Sequence, residues 1–278
     1  MVPAPAAAPK LIMLLMTDQF RQDALQPDIT PHLWKELKED PLSTTFENAY
    51  SSTPICTPAR ASLLTGKSPW NHGMLGYGQT VNCSSYKAVL PEILASHYAN
   101  YSTFSVGKNH FGWQGGDGEY VNHGFQHLQV YDALTHQPVP DNYMKYYNGQ
   151  HPNISDPLYN SCQNRTTHDY NEWRGCSYGG GTEPEHPTQW TTRKAIQYLE
   201  SFWGSGEGDR SGDSPHSDDD TDSKMFLKVS YHRPHSPYDP PQRILDERIA
   251  DNAVPERIIN NTVWDQKYLN TSEIPDNA

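Results

Sequence analysis

At 278 residues the chain is long enough for one large domain or two small ones and for a sizeable buried core. Only 35% of it is hydrophobic and its mean hydropathy is −0.80, while Pro (23), Gly (19) and Tyr (17) are plentiful, which fits a loop-rich scaffold, and the apolar run at 11–16 is too short to span a membrane. The net charge of −12 argues against a nucleic-acid partner but not against an anionic substrate, because a local cluster of Arg, Lys and His can dominate its own pocket.

The first element is the apolar run Leu11-Ile12-Met13-Leu14-Leu15-Met16, which ends in Thr17-Asp18-Gln19. A run apolar on both faces suits a central parallel strand. Polar residues at its carboxyl end fall where open α/β sheets place their sites, although a lone Asp there is usually just a turn residue. Residues 30–39 open with Thr30 as N-cap and Pro31 at the first helical position, and Leu33 and Leu37 stand four apart, so the pattern predicts an amphipathic helix. Residues 46–50 read as a short strand. A second helix is expected just after Cys56, with Thr57 as N-cap, Pro58 at the first helical position and Gly66 as its stop. Cys56 then lies at a helix N-terminus, where free N–H groups and the dipole favour an anion. Arg60, one turn in, can point back at the same spot. These features alone fit either a small buried Cys or a nucleophile beside an anion hole.

Residues 88–99 look helical. Tyr101-Ser102-Thr103-Phe104-Ser105-Val106 is a strand that runs into a turn at Gly107 carrying Lys108 and His110; two residues apart in an extended segment, Lys108 and His110 would share a side. Residues 115–181 are rich in Tyr, Asn, His and Gly with little periodicity and read as long loops. Residues 187–203 return to a helical pattern, with Ala195, Ile196, Leu199 and Phe202 as a core stripe. Residues 204–223 are low-complexity and carry seven acidic groups against Arg210, half of the net charge; they are expected to be a disordered acidic loop, and Asp218-Asp219-Asp220 in it reads as solvated rather than metal-binding. Residues 225–231 form the next strand, which delivers His232-Arg233-Pro234-His235-Ser236-Pro237 to the same sheet edge. Alternating strands and helices give an α/β fold with a parallel or mixed sheet.

Three of these segments together resemble the sulfatase family. Cys56-Thr57-Pro58-Ala59-Arg60 followed by Ala61-Ser62-Leu63-Leu64-Thr65-Gly66 is similar to its Cys-x-Pro-x-Arg signature. Gly107-Lys108-Asn109-His110 is similar to its Gly-Lys-x-His segment, with Asn100 standing where the family usually has Gly. Pro234-His235-Ser236-Pro237 matches its Pro-His-x-Pro. The resemblance implies an alkaline-phosphatase-like α/β/α sandwich with a largely parallel sheet. It also implies that residues 1–278 are one catalytic domain, the N-terminal portion of a usual sulfatase, lacking C-terminal strands.

What the resemblance implies for chemistry is specific. Cys56 would be oxidised to formylglycine by a formylglycine-generating enzyme, and the aldehyde hydrate would be the nucleophile. Asp18, Gln19 and residue 56 would hold a divalent metal, Ca2+ or Mg2+. Arg60 would hold the hydrate, and Lys108 would contact it and the sulfate. His110 would act as a base or orient the hydroxyl, and His235 would serve the sulfate or the leaving oxygen; His232 does not match. Family members carry a further Asp-Asn or Asp-His pair and a second Lys downstream. Asp276-Asn277 has no apolar strand before it and reads as coincidence. The implied activity is hydrolysis of a small-molecule or glycan sulfate ester. Rival readings are a phosphonate or phosphate monoester hydrolase on the same scaffold and an inactive anion-binding homologue. Cys162 and Cys176 are close enough in sequence to pair, which would leave Cys83 free. The sequons at Asn82, Asn100, Asn153, Asn164, Asn260 and Asn270 favour a secretory route, extracellular or lysosomal, although residues 1–9 lack the basic start of a signal peptide.

Overall fold

The computed structural model describes residues 9–76, 89–98, 100–110, 122–132, 141–153, 178, 181–204, 223–235 and 238–250. At its centre is a four-stranded parallel sheet made of β1 (Leu11–Thr17), β2 (Tyr101–Gly107), β3 (His127–Val130) and β4 (Lys224–Tyr231), in the order β1-β4-β2-β3. Strand β4 has a neighbour on each side, and its interior residues are buried on both faces. Its period of two sorts them: Met225, Leu227 and Val229 face one way, and Phe226, Lys228 and Ser230 the other.

Helices cover both faces. On the first, Met225, Leu227 and Val229 join Phe104 and Val106 of β2. They pack against helix α2 (Asn142–Gln150) through Tyr143, Met144 and Tyr147, and against helix α3 (Pro187–Trp203) through Trp190, Ala195 and Phe202. On the second, Phe226, Tyr101 and Phe125 pack against Ala61 and Leu64 of helix α1 (Cys56–Thr65). Each fully buried aromatic or aliphatic side chain here contributes about 1.5–3 kcal/mol against conformational entropy. A further helix, α4 (Gln242–Ala250), follows β4.

Several expectations are corrected. Among the described residues β1 is an edge strand paired only with β4, and Leu11, Met13 and Leu15 are partly exposed. An apolar run reports an appetite for burial, but not how many neighbours supply it. Residues 46–50 form no strand, and Phe46 and Tyr50 are exposed. Helix α1 begins two residues earlier than expected: Ile55 is the N-cap, its carbonyl accepts from the Ala59 N–H at 3.1 Å, and Cys56, Thr57 and Pro58 fill the first three helical positions. Pro58 is tolerated there because an N–H in the first turn has no intrahelical acceptor. Gly66 ends the helix at φ +66°, as expected. The stretch read as loops contains β3 and α2. Strand β3 is only four residues long, and the buried face of α2 is mainly tyrosine, so neither gives a strong hydrophobic period. Asp141 starts α2 by accepting from the Met144 N–H at 2.8 Å. Residues 30–39 are helical from Pro31, with Thr30 as N-cap, and widen to π geometry over Trp34–Lys38. Residues 90–98 are likewise helical, with π geometry over Ile93–Tyr98. Cys83, Cys162, Cys176, the acidic segment 205–222 and Asp276-Asn277 lie outside the described residues.

The turn after β2 depends on Gly107. Its φ is +89°, and a Cβ there would overlap the Ser230 carbonyl of β4. Gly107→Ala is therefore expected to destabilise the fold by at least about 2 kcal/mol in urea unfolding. Gly66→Ala, at φ +66° with open space around it, should cost only about 1 kcal/mol. Equal losses at the two positions would show that close packing of β2 on β4 is not what selects Gly107.

Candidate active site

The carboxyl ends of β1, β2 and β4 lie side by side, and the N-terminus of α1 meets them there. Asp18 follows β1 directly, and its amide donates to the Tyr231 carbonyl at the end of β4 (3.1 Å). Cys56 is the first residue of α1, and its Sγ lies 3.8 and 3.9 Å from the two carboxylate oxygens of Asp18. Arg60, one turn further in, is buried. Its Nη1 donates to the Lys108 carbonyl at 2.8 Å and to Ser230 Oγ at 3.0 Å, and its Nη2 stands 3.8 Å from Asp18. Lys108, also buried, forms an ion pair with Asp18. His235 completes the group: ligand atoms of Asp18, Cys56 and His235 all lie within 4.8 Å of one another.

The remaining candidates are placed differently. Gln19 is exposed, with φ +58°. His110 is buried and also left-handed, at φ +46°, so the backbone past Gly107 is not extended as far as His110, and strand alternation does not by itself put Lys108 and His110 on one side. Its ring is nonetheless near enough to feel Lys108, Arg60 and Asp18. His232 is buried beneath His235, with ring centroids 4.8 Å apart, and accepts from Arg233 at 2.6 Å. Arg233 in turn is held by Asp239 at 2.5 and 2.8 Å.

Burial sets the electrostatics. Alone it would push the Asp18 carboxyl up, but the Lys108 and Arg60 cations outweigh it and hold that carboxyl below the usual range. Two fixed cations facing one carboxylate leave a locally positive spot in an acidic chain. The Cys56 thiol is pushed up, by burial first and by Asp18 as well, against the pull of Lys108. It is thus protonated at neutral pH and a poor nucleophile as a thiol. Burial pushes His110 down to about 4 despite the nearby Asp132 carboxylate, with Lys108 and Arg60 adding to it. Its ring is neutral at pH 7 and able to accept a proton.

Asp18, Cys56 and His235 are the one group of three His, Cys, Asp or Glu ligand atoms that converges among the described residues. One oxygen, one sulfur and one nitrogen suit a borderline metal. A hard cation wants six or more oxygens. The described residues offer it only the Asp18 carboxylate in that group and the exposed Gln19 amide nearby, which is an incomplete fit.

Sequence reasoning missed four polar residues that shape this edge: Asp132, Lys228, Ser230 and Asp239. Only Lys228 carried a signal, a charge in the middle of an otherwise apolar strand.

A family model described as Sulfatase matches residues 10–273. The arylsulfatase of Clostridium perfringens (strain 13 / Type A) is 29% identical over 92% of this chain and 49% of that enzyme. Human N-acetylglucosamine-6-sulfatase is 32% identical over 49% of the chain and 24% of its own length. The chain thus spans half or less of the length of these relatives. Among solved structures, a phosphonate monoester hydrolase of Agrobacterium radiobacter superposes with a TM-score of 0.57 at 20% identity, covering 84% of this chain and 43% of that one; it supports the α/β fold.

Removing the Asp18 carboxylate leaves Lys108 and Arg60 buried without their counter-charge. Asp18→Asn is expected to cost about 3–5 kcal/mol at pH 7 in urea unfolding. The carboxyl is lowered in the folded state, so its stabilisation is present above the ordinary carboxylate value and is lost as pH falls through the lowered one. The gap between wild type and variant should therefore shrink below about pH 4. A gap that does not change with pH would mean the ion pair is not its source.

Proposed function

The chain belongs to the sulfatase family, and on that premise we propose that it hydrolyses sulfate esters, with residue 56 as the nucleophile after oxidation of Cys56 to formylglycine by a formylglycine-generating enzyme. The observation that carries this reading is the convergence of Cys56 with Asp18, Arg60, Lys108 and His235 at one sheet edge. The protonated thiol at position 56 also favours it, since an unmodified Cys there is a weak nucleophile.

Oxidised and hydrated, residue 56 would supply a hydroxyl that attacks sulfur, and a divalent metal would make that hydroxyl more acidic. Of the described residues, Asp18 is the best donor for such an ion. The roles of the other side chains follow from their charge and place. Arg60 and Lys108 are fixed cations that bind the sulfate and offset the charge that builds on its oxygens. They are already oriented, so little reorganisation is needed when that charge forms. His235 stands beside residue 56 and protonates the departing alcohol oxygen. His110, neutral and buried, accepts the proton of the second hydroxyl when sulfate is expelled and the aldehyde returns.

The positive spot fits a tetrahedral anion on an aryl or sugar oxygen. A secretory location fits the sequons, two of which, Asn100 and Asn153, are exposed in the fold.

The test is expression with and without a formylglycine-generating enzyme. Intact mass should show thiol-to-aldehyde conversion at residue 56 only with the enzyme, and aryl sulfate hydrolysis should appear with it. Cys56→Ala should lose at least about 10³-fold in kcat/KM, and Lys108→Ala about 10²–10³-fold in kcat. Phosphonate monoesters run in parallel should be the poorer substrates. An unmodified Cys56 together with full activity of Cys56→Ala would sink the proposal, and a preference for phosphonates would redirect it.

A further inference from the structure

The turn that carries Lys108 and His110 has an unusual backbone. Gly107 is left-handed at φ +89°, and His110 is left-handed at φ +46° although it has a side chain. A left-handed residue with a Cβ costs about 1–2 kcal/mol, so something must hold it.

Two residues outside the family-like segments do so. From one side, the Asp132 carboxylate, just past β3, accepts from two successive amides: Asn109 N–H to Oδ1 at 2.7 Å and His110 N–H to Oδ2 at 2.8 Å. Asp132 is itself fixed, since its own N–H donates to Asp141 at 3.0 Å and Asp141 caps α2. From the other side, Lys228 of β4 reaches up with its Nζ. It donates to the Lys108 carbonyl at 3.0 Å, to Asn109 Oδ1 at 2.8 Å and to Ser105 Oγ at 3.4 Å. The same Lys108 carbonyl also receives Arg60 at 2.8 Å, and the Lys108 amide donates to Ser230 at 2.7 Å. Asp132 and Lys228 are both almost wholly buried.

We infer that Asp132 and Lys228 are positioning residues that clamp the Lys108–His110 turn from its amide and carbonyl sides and so set where the Lys108 ammonium and the His110 ring stand. The catalytic consequence rests on the sulfate-ester reading above; the clamp itself does not. A carboxylate that takes two consecutive N–H groups fixes both the tilt and the twist of that peptide. A single neutral acceptor fixes only one bond. Charge-assisted bonds of this kind are stronger than neutral ones. Loss of the clamp should move Lys108 and His110 by a fraction of their reach, which harms the reaction step more than ground-state binding.

The experiment uses the full chain, matured with the formylglycine-generating enzyme, and compares Asp132→Asn, Asp132→Glu and Lys228→Met. Two readouts are taken: hydrogen exchange at the Asn109 and His110 amides by NMR, and kcat and KM on an aryl sulfate. In Asp132→Asn both amides should exchange faster by at least about tenfold while the β4 amides keep their protection. The same variant should lose about 10–100-fold in kcat with KM changed by less than about threefold. Asp132→Glu, which keeps both acceptor oxygens, should recover part of the kcat. Lys228→Met, similar in shape and lacking the donor, should show both effects, and it carries the test if Asp132→Asn does not fold. Unchanged exchange at both amides overturns the inference. So does a fall in kcat that tracks global unfolding and is not rescued by Asp132→Glu. A matured wild type that cleaves no sulfate ester counts against the hydrolase reading alone, because amide exchange still decides for or against the clamp.

Discussion

The buried guanidinium of Arg60 constrains everything around it. Arginine does not give up its proton in a protein, so burying it requires a full set of acceptors. Its partners come from the ends of three strands: it donates to the Lys108 carbonyl after β2 and to Ser230 Oγ of β4, and its Nη2 stands in ion-pair range, 3.8 Å, of the Asp18 carboxylate after β1. Arg60 itself belongs to α1. One side chain thereby ties the helix that bears Cys56 to the ends of three strands. Each bond to the charged group is worth about 1.5–3 kcal/mol net. Shifting any strand end would leave a buried charge short of a partner, which costs more than the bond is worth. The layout of the site follows from that demand.

Net charge misleads about such a place. The chain carries −12, a formal sum over all its residues that says nothing of how charge is distributed at one place. Solvated charges more than a Debye length away are largely screened. Buried ones are not, so Arg60 and Lys108 outweigh Asp18 locally whatever the rest of the chain carries. The same burial keeps the His110 ring neutral and lifts the Cys56 thiol, because each group is disfavoured in its charged form. Asp18 keeps its charge because the Lys108 and Arg60 cations stand against it.

Legibility in the sequence followed the same division. Cys56, Arg60, Lys108 and His235 were readable because they stand in short segments with fixed spacing, and strand ends in an α/β sheet gather such segments. The α/β class was readable from the apolar runs of β1, β2 and β4. The edge position of β1 among the described strands was not, since pairing partners are chosen by strands far away in sequence. Helix α2 was hidden because its core face is Tyr143, Met144 and Tyr147, which a hydropathy pattern scores as half polar. Asp132 was invisible because its function is to accept two backbone N–H groups, and backbone geometry leaves no mark in the residues that receive it. Lys228 left a trace, a charge inside an apolar strand, but its partners are 119 to 123 residues away.

The pairing of Asp18 with Lys108 explains how a carboxylate can sit inside an anion site at all. Asp18 lies 3.8 Å from Cys56 Sγ and by itself opposes negative charge at position 56. With Lys108 against it, most of that opposition is cancelled, and the carboxylate instead fixes the ammonium next to residue 56. A thiolate gains too little from this arrangement to offset its desolvation, which is why the thiol stays protonated. An aldehyde carries no charge to desolvate, so the burial that disables the thiol does not penalise it. On the sulfate-ester reading proposed above, the substrate itself brings the negative charge, and its oxygens would meet cations already in place. Burial and Asp18 thus hold an unmodified cysteine at position 56 as a neutral thiol, whereas the neutral aldehyde of the proposed reading would meet no such penalty there.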